Sequence, residues 1–241
     1  MTPRPRTIPD GNAENVAESF ARPSIGIIGS GPIGRGIHRL LTRAGYRAVF
    51  SSRQDLRSPA GADMGPSDLA SFADASQFDV IILSIQHDAS NVVVEQYEEN
   101  LRGKIVIDTM NSFVIDSEMR IQTGVVGRTE GRRLQSLLPD SFVVRAFSHV
   151  QHELLVSRAE TQPGLWAMAV SGDDQKSVHF TMDLVRDCGY FPVDIGPLDR
   201  SGPLDPGGAL FPNMWLPGDM QDRVDAAAHR GNIDAPLGTK E

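Results

Sequence analysis

The stretch Ser24 to Leu41, SIGIIGSGPIGRGIHRLL, leaves a chain few folds to choose from. Ile25-Gly26-Ile27-Ile28 is short, apolar and β-branched, the pattern of a strand buried on both faces. Gly29, Gly31 and Gly34 follow in the spacing G-x-G-x-x-G. Ile33, Ile37, Leu40, Leu41 and Ala44 then recur at helical spacing until Gly45. That glycine spacing alone is common. Set between a buried strand and an amphipathic helix, it is the entry to a βαβ unit that holds a dinucleotide.

Each residue of the turn has a physical task there. Gly29 permits the sharp exit from the strand, and Gly31 lets a pyrophosphate approach the backbone. Gly34 lets helix and strand pack closely. Pro32 suits the first helical turn, where its missing N–H costs nothing. Ser30 and Ile33 complete the turn, whose free N–H groups and partial positive charge face the phosphates. The bland alternative is a glycine-rich turn with no ligand.

Tyr46 to Arg53 supplies the second strand and closes a βαβ unit of about 30 residues. NAD sites commonly place a carboxylate at the end of that strand. Here the end reads Phe50-Ser51-Ser52-Arg53. Ser52 donates to a 2′-phosphate, and Arg53 pairs with it and stacks on adenine, so NADP(H) is the expected dinucleotide. Against this stands Arg53 as an ordinary surface arginine.

Further strands are expected at Phe78–Ile85, Lys104–Asn111, Phe142–Val150, Leu165–Gly172 and Tyr190–Gly196, with a short one near Ala62–Met64. Helices are expected at Ser67–Ser76 with Ser67 as cap, Asn91–Leu101, Glu130–Leu138 and residues 174–188. The alternation predicts an α/β fold, a Rossmann-type doubly wound, mostly parallel sheet with helices on both faces. Residues 1–22 read as a flexible extension, 23–198 as the NADP-binding domain, and 199–241 as an irregular Pro/Gly-rich segment with a loose tail. Its apolar cluster, Leu210, Phe211, Met214, Trp215 and Leu216, needs a surface, in a dimer contact or a lid.

In open α/β sheets ligands gather at the carboxyl ends of strands. Ser84, Ile85 and Gln86 close one strand there and are expected along the cofactor. His87, Met110, Asn111, Ser148 and His152 are expected around the substrate. Reduction of a C=O or C=N group needs a proton as well as a hydride, and His149 either donates it or merely shapes the pocket.

Composition removes other classes. A formal net charge of −8 in 241 residues argues against nucleic acid as partner. No run approaches a membrane span, and one cysteine, Cys188, permits no internal disulfide, as expected for a cytoplasmic protein. The Pro- and Arg-rich start lacks the apolar core of a secretory signal. His149, His152 and Glu153 match no zinc-hydrolase order, so no metal is expected, and Cys188 reads as packing.

Three stretches resemble the NADPH-dependent coenzyme F420 reductases and the small dinucleotide-binding reductases around them. These are IGIIGSGPIGRGIHRLLTRAGYRAVFSSR, VVRAFSHV, and AVSGDDQKSVHFTMDLVRDCGYFPVDIGPL. The resemblance runs from Ser24 to Leu198. It implies a Rossmann domain, NADP(H), a homodimer, and hydride transfer to a second acceptor. That acceptor is the deazaflavin coenzyme F420 or a small imine or carbonyl metabolite. It matches Gly31, Pro32, Ile33, Ser52, Arg53, Ser84, Ile85 and Gln86 to nucleotide-contacting positions. Gln86 stands where relatives often have proline, and Ser148-His149 replaces Asn-Thr or His-Thr. The other class kept open is a non-catalytic NADP(H)-binding sensor or interaction module.

Overall fold

The computed structural model describes residues 22–51 and 69–233. The strand expected at Ala62–Met64, the expected cap Ser67, and Ser52 and Arg53, expected at a 2′-phosphate, lie outside the described residues. Strand β1 (Ile25–Ile28) leads through the glycine turn into α1 (Pro32–Arg43) and back through β2 (Ala48–Ser51). The chain continues as β3 (Leu69–Ala70), α2 (Phe72–Ala75), β4 (Val80–Leu83), α3 (His87–Leu101) and β5 (Ile105–Asp108). A hairpin of β6 (Phe113–Ile115) and β7 (Ile121–Thr123) precedes α4 (Glu130–Leu137) and β8 (Phe142–Arg145). Then come α5 (His152–Thr161), β9 (Ala167–Gly172), α6 (Gln175–Asp187), β10 (Phe191–Asp194), two 3-10 turns and α7 (Pro217–Ile233).

Eight strands form one sheet in the order β10-β9-β8-β5-β4-β1-β2-β3. All neighbours run parallel except β8 and β9, which are antiparallel. The order turns back on itself beside β1, with β2 and β4 on its two flanks, so a crevice opens between the carboxyl ends of β1 and β4. Alternate strand residues feed opposite layers. Ile25, Ile27 and Ile82 pack with Ile37, Leu41, Leu155 and Leu184 from α1, α5 and α6. Ile28, Ile81 and Leu83 pack with Val93, Val94 and Leu134 from α3 and α4. Buried Cys188 belongs to the first layer, and burial pushes its thiol up to about 12, as packing requires.

Local chemistry moved several boundaries. The helix expected from Ser67 is a single turn, Phe72–Ala75, capped by Ser71 Oγ accepting from the Asp74 N–H (3.0 Å). The strand expected to run to Val150 stops at Arg145. Phe147 there has φ +58, a left-handed conformation that turns the chain out of the sheet.

The largest correction concerns the tail. Residues 217–233 form α7, starting with Pro217 at a position that needs no N–H. Its polar, alanine-rich sequence carries little apolar periodicity, which is why it reads as loose. Met220 is fully buried with Leu204 and Leu210 against Ala167, Ala169, Val193 and Ile195. The segment after residue 198 therefore covers the β9–β10 face with its own apolar residues.

His149 is a second correction. It is fully buried, and both ring nitrogens are used. The Ala169 N–H donates to Nε2 (3.2 Å), so Nδ1 carries the proton and donates it to the Asn213 carbonyl (3.0 Å). The ring ties the end of β8 to β9 and to the C-terminal segment, and has no proton left for a ligand. Burial pushes its pKa down to about 4, with the Asn213 contact opposing.

Two outcomes follow from this packing. Met220→Ala should cost about 2–4 kcal/mol of unfolding free energy in urea titration; a cost below 0.5 kcal/mol would mean that α7 is not docked. In the unfolded chain His149 takes up a proton near 6.5, whereas in the folded chain it does so only near 4. Its contribution is therefore present above pH 6.5 and lost as pH falls towards 4, on the order of 3 kcal/mol in all. The stability gap between wild type and His149→Gln should narrow over that range, and a constant gap would contradict the assignment.

Candidate functional site

The glycine turn is held by backbone contact. The Gly29 N–H donates to the Ser51 carbonyl (2.9 Å), and its φ of +119 suits glycine alone. A Cβ on Gly29 would overlap the Ser84 carbonyl oxygen, and one on Gly34 would sit 2.6 Å from the Gly29 carbonyl oxygen. Gly31 differs, because a Cβ there would meet nothing within 4 Å. It is exposed at the start of α1, with no side-chain cap and no acidic residue in the first turn. The first turn of α1 thus has no side-chain cap, and the space beside Gly31 at its start is open. Ser51, fully buried at the end of β2, has a hydroxyl with no hydrogen-bond partner. An open backbone cradle, an uncapped helix start and an orphaned hydroxyl fit a phosphorylated nucleotide.

Across the crevice the end of β4 is pinned by the Ser84 N–H donating to Ile28 O (2.9 Å). Ser84 and Ile85 are half-buried, and Gln86 is exposed with extended backbone at the start of α3. His87 follows as the first residue of that helix. Thr109 at the end of β5 donates through its hydroxyl to Leu83 O (3.0 Å). The structure thus brings Gly29 to Gly34 and Ser84 to His87 together along one crevice.

The other expected pocket residues separate. Met110 is buried among Ile81, Leu83 and Val106. Asn111 accepts from the Arg145 guanidinium (3.0 Å) and donates to Ser148 O (2.6 Å), so its amide holds β5 to β8. Ser148 is 3 % exposed with its hydroxyl unpartnered. His152 lies exposed at the start of α5, beside Glu153 (3.3 Å).

Beneath the crevice lies an ionic cluster that sequence reasoning missed. Arg145, wholly buried, donates to Asp108 Oδ2 (2.9 Å) and Met110 O (3.2 Å), with Asp205 Oδ1 3.3 Å away. Asp205 Oδ2 accepts from the Glu130 N–H (3.1 Å). Glu130 Oε1 accepts from the Ser112 N–H (2.9 Å) and the Thr123 hydroxyl (3.0 Å), closing the base of the β6–β7 hairpin. Its Oε2 lies 3.4 Å from His87 Nε2 and 4.0 Å from Arg133 Nε. Arg133 donates to Ser90 Oγ (2.9 Å) and Asn91 Oδ1 (3.1 Å) of α3. Burial pushes the Asp205 carboxyl up to about 6 against the pull of Arg145, and lowers the proton affinity of Arg133. One signal pointed here, the lone arginine inside the apolar strand FVVRAF. Among the described residues no group of three or more His, Cys, Asp or Glu side chains is arranged to hold a metal ion.

Comparison with known proteins follows the same division. Residues 24–112, from β1 to just past β5, match the family model described as NADP oxidoreductase coenzyme F420-dependent. The F420-dependent NADP reductase of Methanocaldococcus jannaschii is 28% identical over 53% of this chain and 57% of its own. The rat metalloreductase STEAP3 is 27% identical over 73% of this chain but only 34% of its own length. The chain thus spans from about a third to somewhat over half of these curated relatives. Among solved structures, a hypothetical protein SMa0349 from Sinorhizobium meliloti superimposes with a TM-score of 0.71 at 26% identity. That match covers 84% of this chain and 99% of that one. Over residues 24–112 the chain is thus similar to the NADP oxidoreductases of the coenzyme F420-dependent family, and its mostly parallel sheet is of the Rossmann type.

Proposed function

We propose that this chain binds NADP(H) along the crevice between β1 and β4 and reduces a second bound acceptor. The observation that carries the reading is Gly31, whose missing side chain opens the start of an uncapped helix in the segment that matches the family model. Gly29, Ser30, Gly31, Pro32, Ile33 and Gly34 would hold the pyrophosphate. Ser52 and Arg53 would select the 2′-phosphate, and Ser84, Ile85 and Gln86 would line the nicotinamide side. NADPH supplies a hydride when bound; the protein orients the two partners and keeps water out. The acceptor is a deazaflavin or a small imine or carbonyl compound. The enzyme acts in the cytoplasm as a homodimer, and no described helix is long and apolar enough to cross a membrane. Residues 23–198 form the nucleotide-binding unit. The described part of the following segment braces its far edge, with Leu204, Leu210, Trp215 and Met220 packed on β9 and β10.

The deciding experiment is an anaerobic mixture of protein, NADPH and oxidised coenzyme F420. NADPH fluorescence reports binding, and the deazaflavin's visible absorbance reports turnover. Enhanced fluorescence with bleaching supports both halves of the reading. Binding without bleaching directs the search to cyclic imines and ketones, and absence of binding removes the proposal. Gly31→Ala should leave folding stability within about 0.5 kcal/mol, since the new methyl group meets no protein atom. The same methyl group should weaken NADPH binding about ten-fold or more by standing where the phosphate lies. Arg53→Ala should raise the NADPH KM by roughly 10–100-fold, the worth of a charge-assisted bond, while NADH is little affected. Equal effects on the two cofactors would remove Arg53 from the 2′-phosphate site.

A further inference from the structure

Resting on the reductase reading, the geometry points to His87 as the proton donor to the acceptor, with Glu130 as the residue that positions it.

The histidines are sorted by what their rings do. His149 has both nitrogens engaged, and His38 Nε2 contacts Ala48 O while the ring lies on Phe50. His152 is exposed and lies beside Glu153. His87 alone combines a place beside Ser84 and Ile85 with two ring nitrogens that are closed to water and lack a hydrogen-bond partner. A buried imidazole left in that state in a native fold calls for an explanation. Its side chain keeps 18 % of its surface open, at the crevice end of α3. In ligand-free proteins catalytic hydrogen bonds are often long or misaligned and tighten once substrate is bound.

Glu130 completes the arrangement. The carboxylate is 2 % exposed, and the hairpin base fixes Oε1, which leaves Oε2 facing His87 Nε2 at 3.4 Å. The cluster also has a charge to place. Asp108, Glu130 and Asp205 are three buried carboxylates against two guanidiniums, Arg133 and Arg145. With Nε2 facing Glu130, Nδ1 is the ring nitrogen that would give its proton to the ligand. Asp88 Oδ1, 3.6 Å from Nδ1 and fully exposed, is the remaining charged group at the ring.

The step balances. NADPH, when bound, would supply a hydride to the acceptor carbon of C=N or C=O. The His87 Nδ1–H bond breaks as its proton joins the acceptor nitrogen or oxygen. NADPH would leave as NADP+, the acceptor would gain two electrons and two hydrogens, and His87 would regain its proton from solvent through the part of its side chain that stays open.

The test uses the full chain, with NADPH and two acceptors, oxidised coenzyme F420 and the cyclic imine 2-methyl-1-pyrroline. NADPH affinity by fluorescence should stay within about three-fold in His87→Asn and Glu130→Gln, which also confirms folding of the variants. His87→Asn should lower kcat about 100-fold with the NADPH KM unchanged, and added imidazole should restore part of the loss in His87→Ala. Glu130→Gln retains the acceptor for Ser112 and Thr123; it should lower kcat about ten-fold and change the ring-nitrogen NMR signals of His87. Wild-type turnover in His87→Asn, or unchanged His87 signals in Glu130→Gln, overturns the proposal. Failure of the wild type to bind NADPH overturns the reductase reading and the donor role with it. The NMR comparison then still decides, separately, whether Glu130 positions the ring.

Discussion

The backbone contact between Gly29 and Ser84 sets the geometry on which the site depends. β1 and β4 approach so closely at their carboxyl ends that only a residue without Cβ, at φ +119, can lie between them. From there Gly34 keeps α1 against the same turn, and the start of α1 opens where Gly31 leaves its surroundings empty. Two of the three glycines are thus fixed by the protein itself, and one is free for what the protein holds. A single spacing in sequence covers both kinds of demand, which is why G-x-G-x-x-G marks a fold and a site together.

The second organising interaction is the buried cation Arg145. Enclosing a guanidinium is costly unless carboxylates and carbonyls surround it, and here β5, the loop after it and the C-terminal segment supply them. Asp108 and Asn111 lie at the end of β5 and Asp205 far along the chain, so the ion holds β5, β8 and the C-terminal segment together. Through Asp205 and Glu130 the same network reaches the base of the hairpin and the ring of His87. Removing one member would leave others charged and unpaired in a site of low polarity. The cluster therefore ties the ends of β5 and β8 to the C-terminal segment and the start of α4.

Legibility in the sequence divides along the same line. The parallel sheet, α1 and the crevice were readable because each rests on short-range periodicity, apolar runs for strands and i, i+3, i+4 spacing for α1. α5 has weak amphipathicity and α7 a polar, alanine-rich face, so neither announced itself. The hairpin of β6 and β7 is apolar yet exposed, with Phe113, Val114 and Ile115 all open, and no alternation separates two faces. His149 was misread for a different reason. Its place just past a strand end is a catalytic address in this fold, but the left-handed Phe147 turns the chain inward and hands both ring nitrogens to the backbone.

This asymmetry bears on what distinguishes one reductase from another. The nucleotide half of the crevice is written in one contiguous run, and a family model can match it from residues 24 to 112. The ionic cluster beside it is assembled from the start of α3, the start of α4, the hairpin base and the loop at Asp205, which meet only once the chain has folded. No short motif can encode four such segments, and a substitution in any one of them leaves the glycine turn intact. Chains that share the nucleotide half are therefore free to differ in the group they reduce. On the reading proposed for this chain, its chemistry would be decided where His87 and Glu130 meet rather than at the glycine turn.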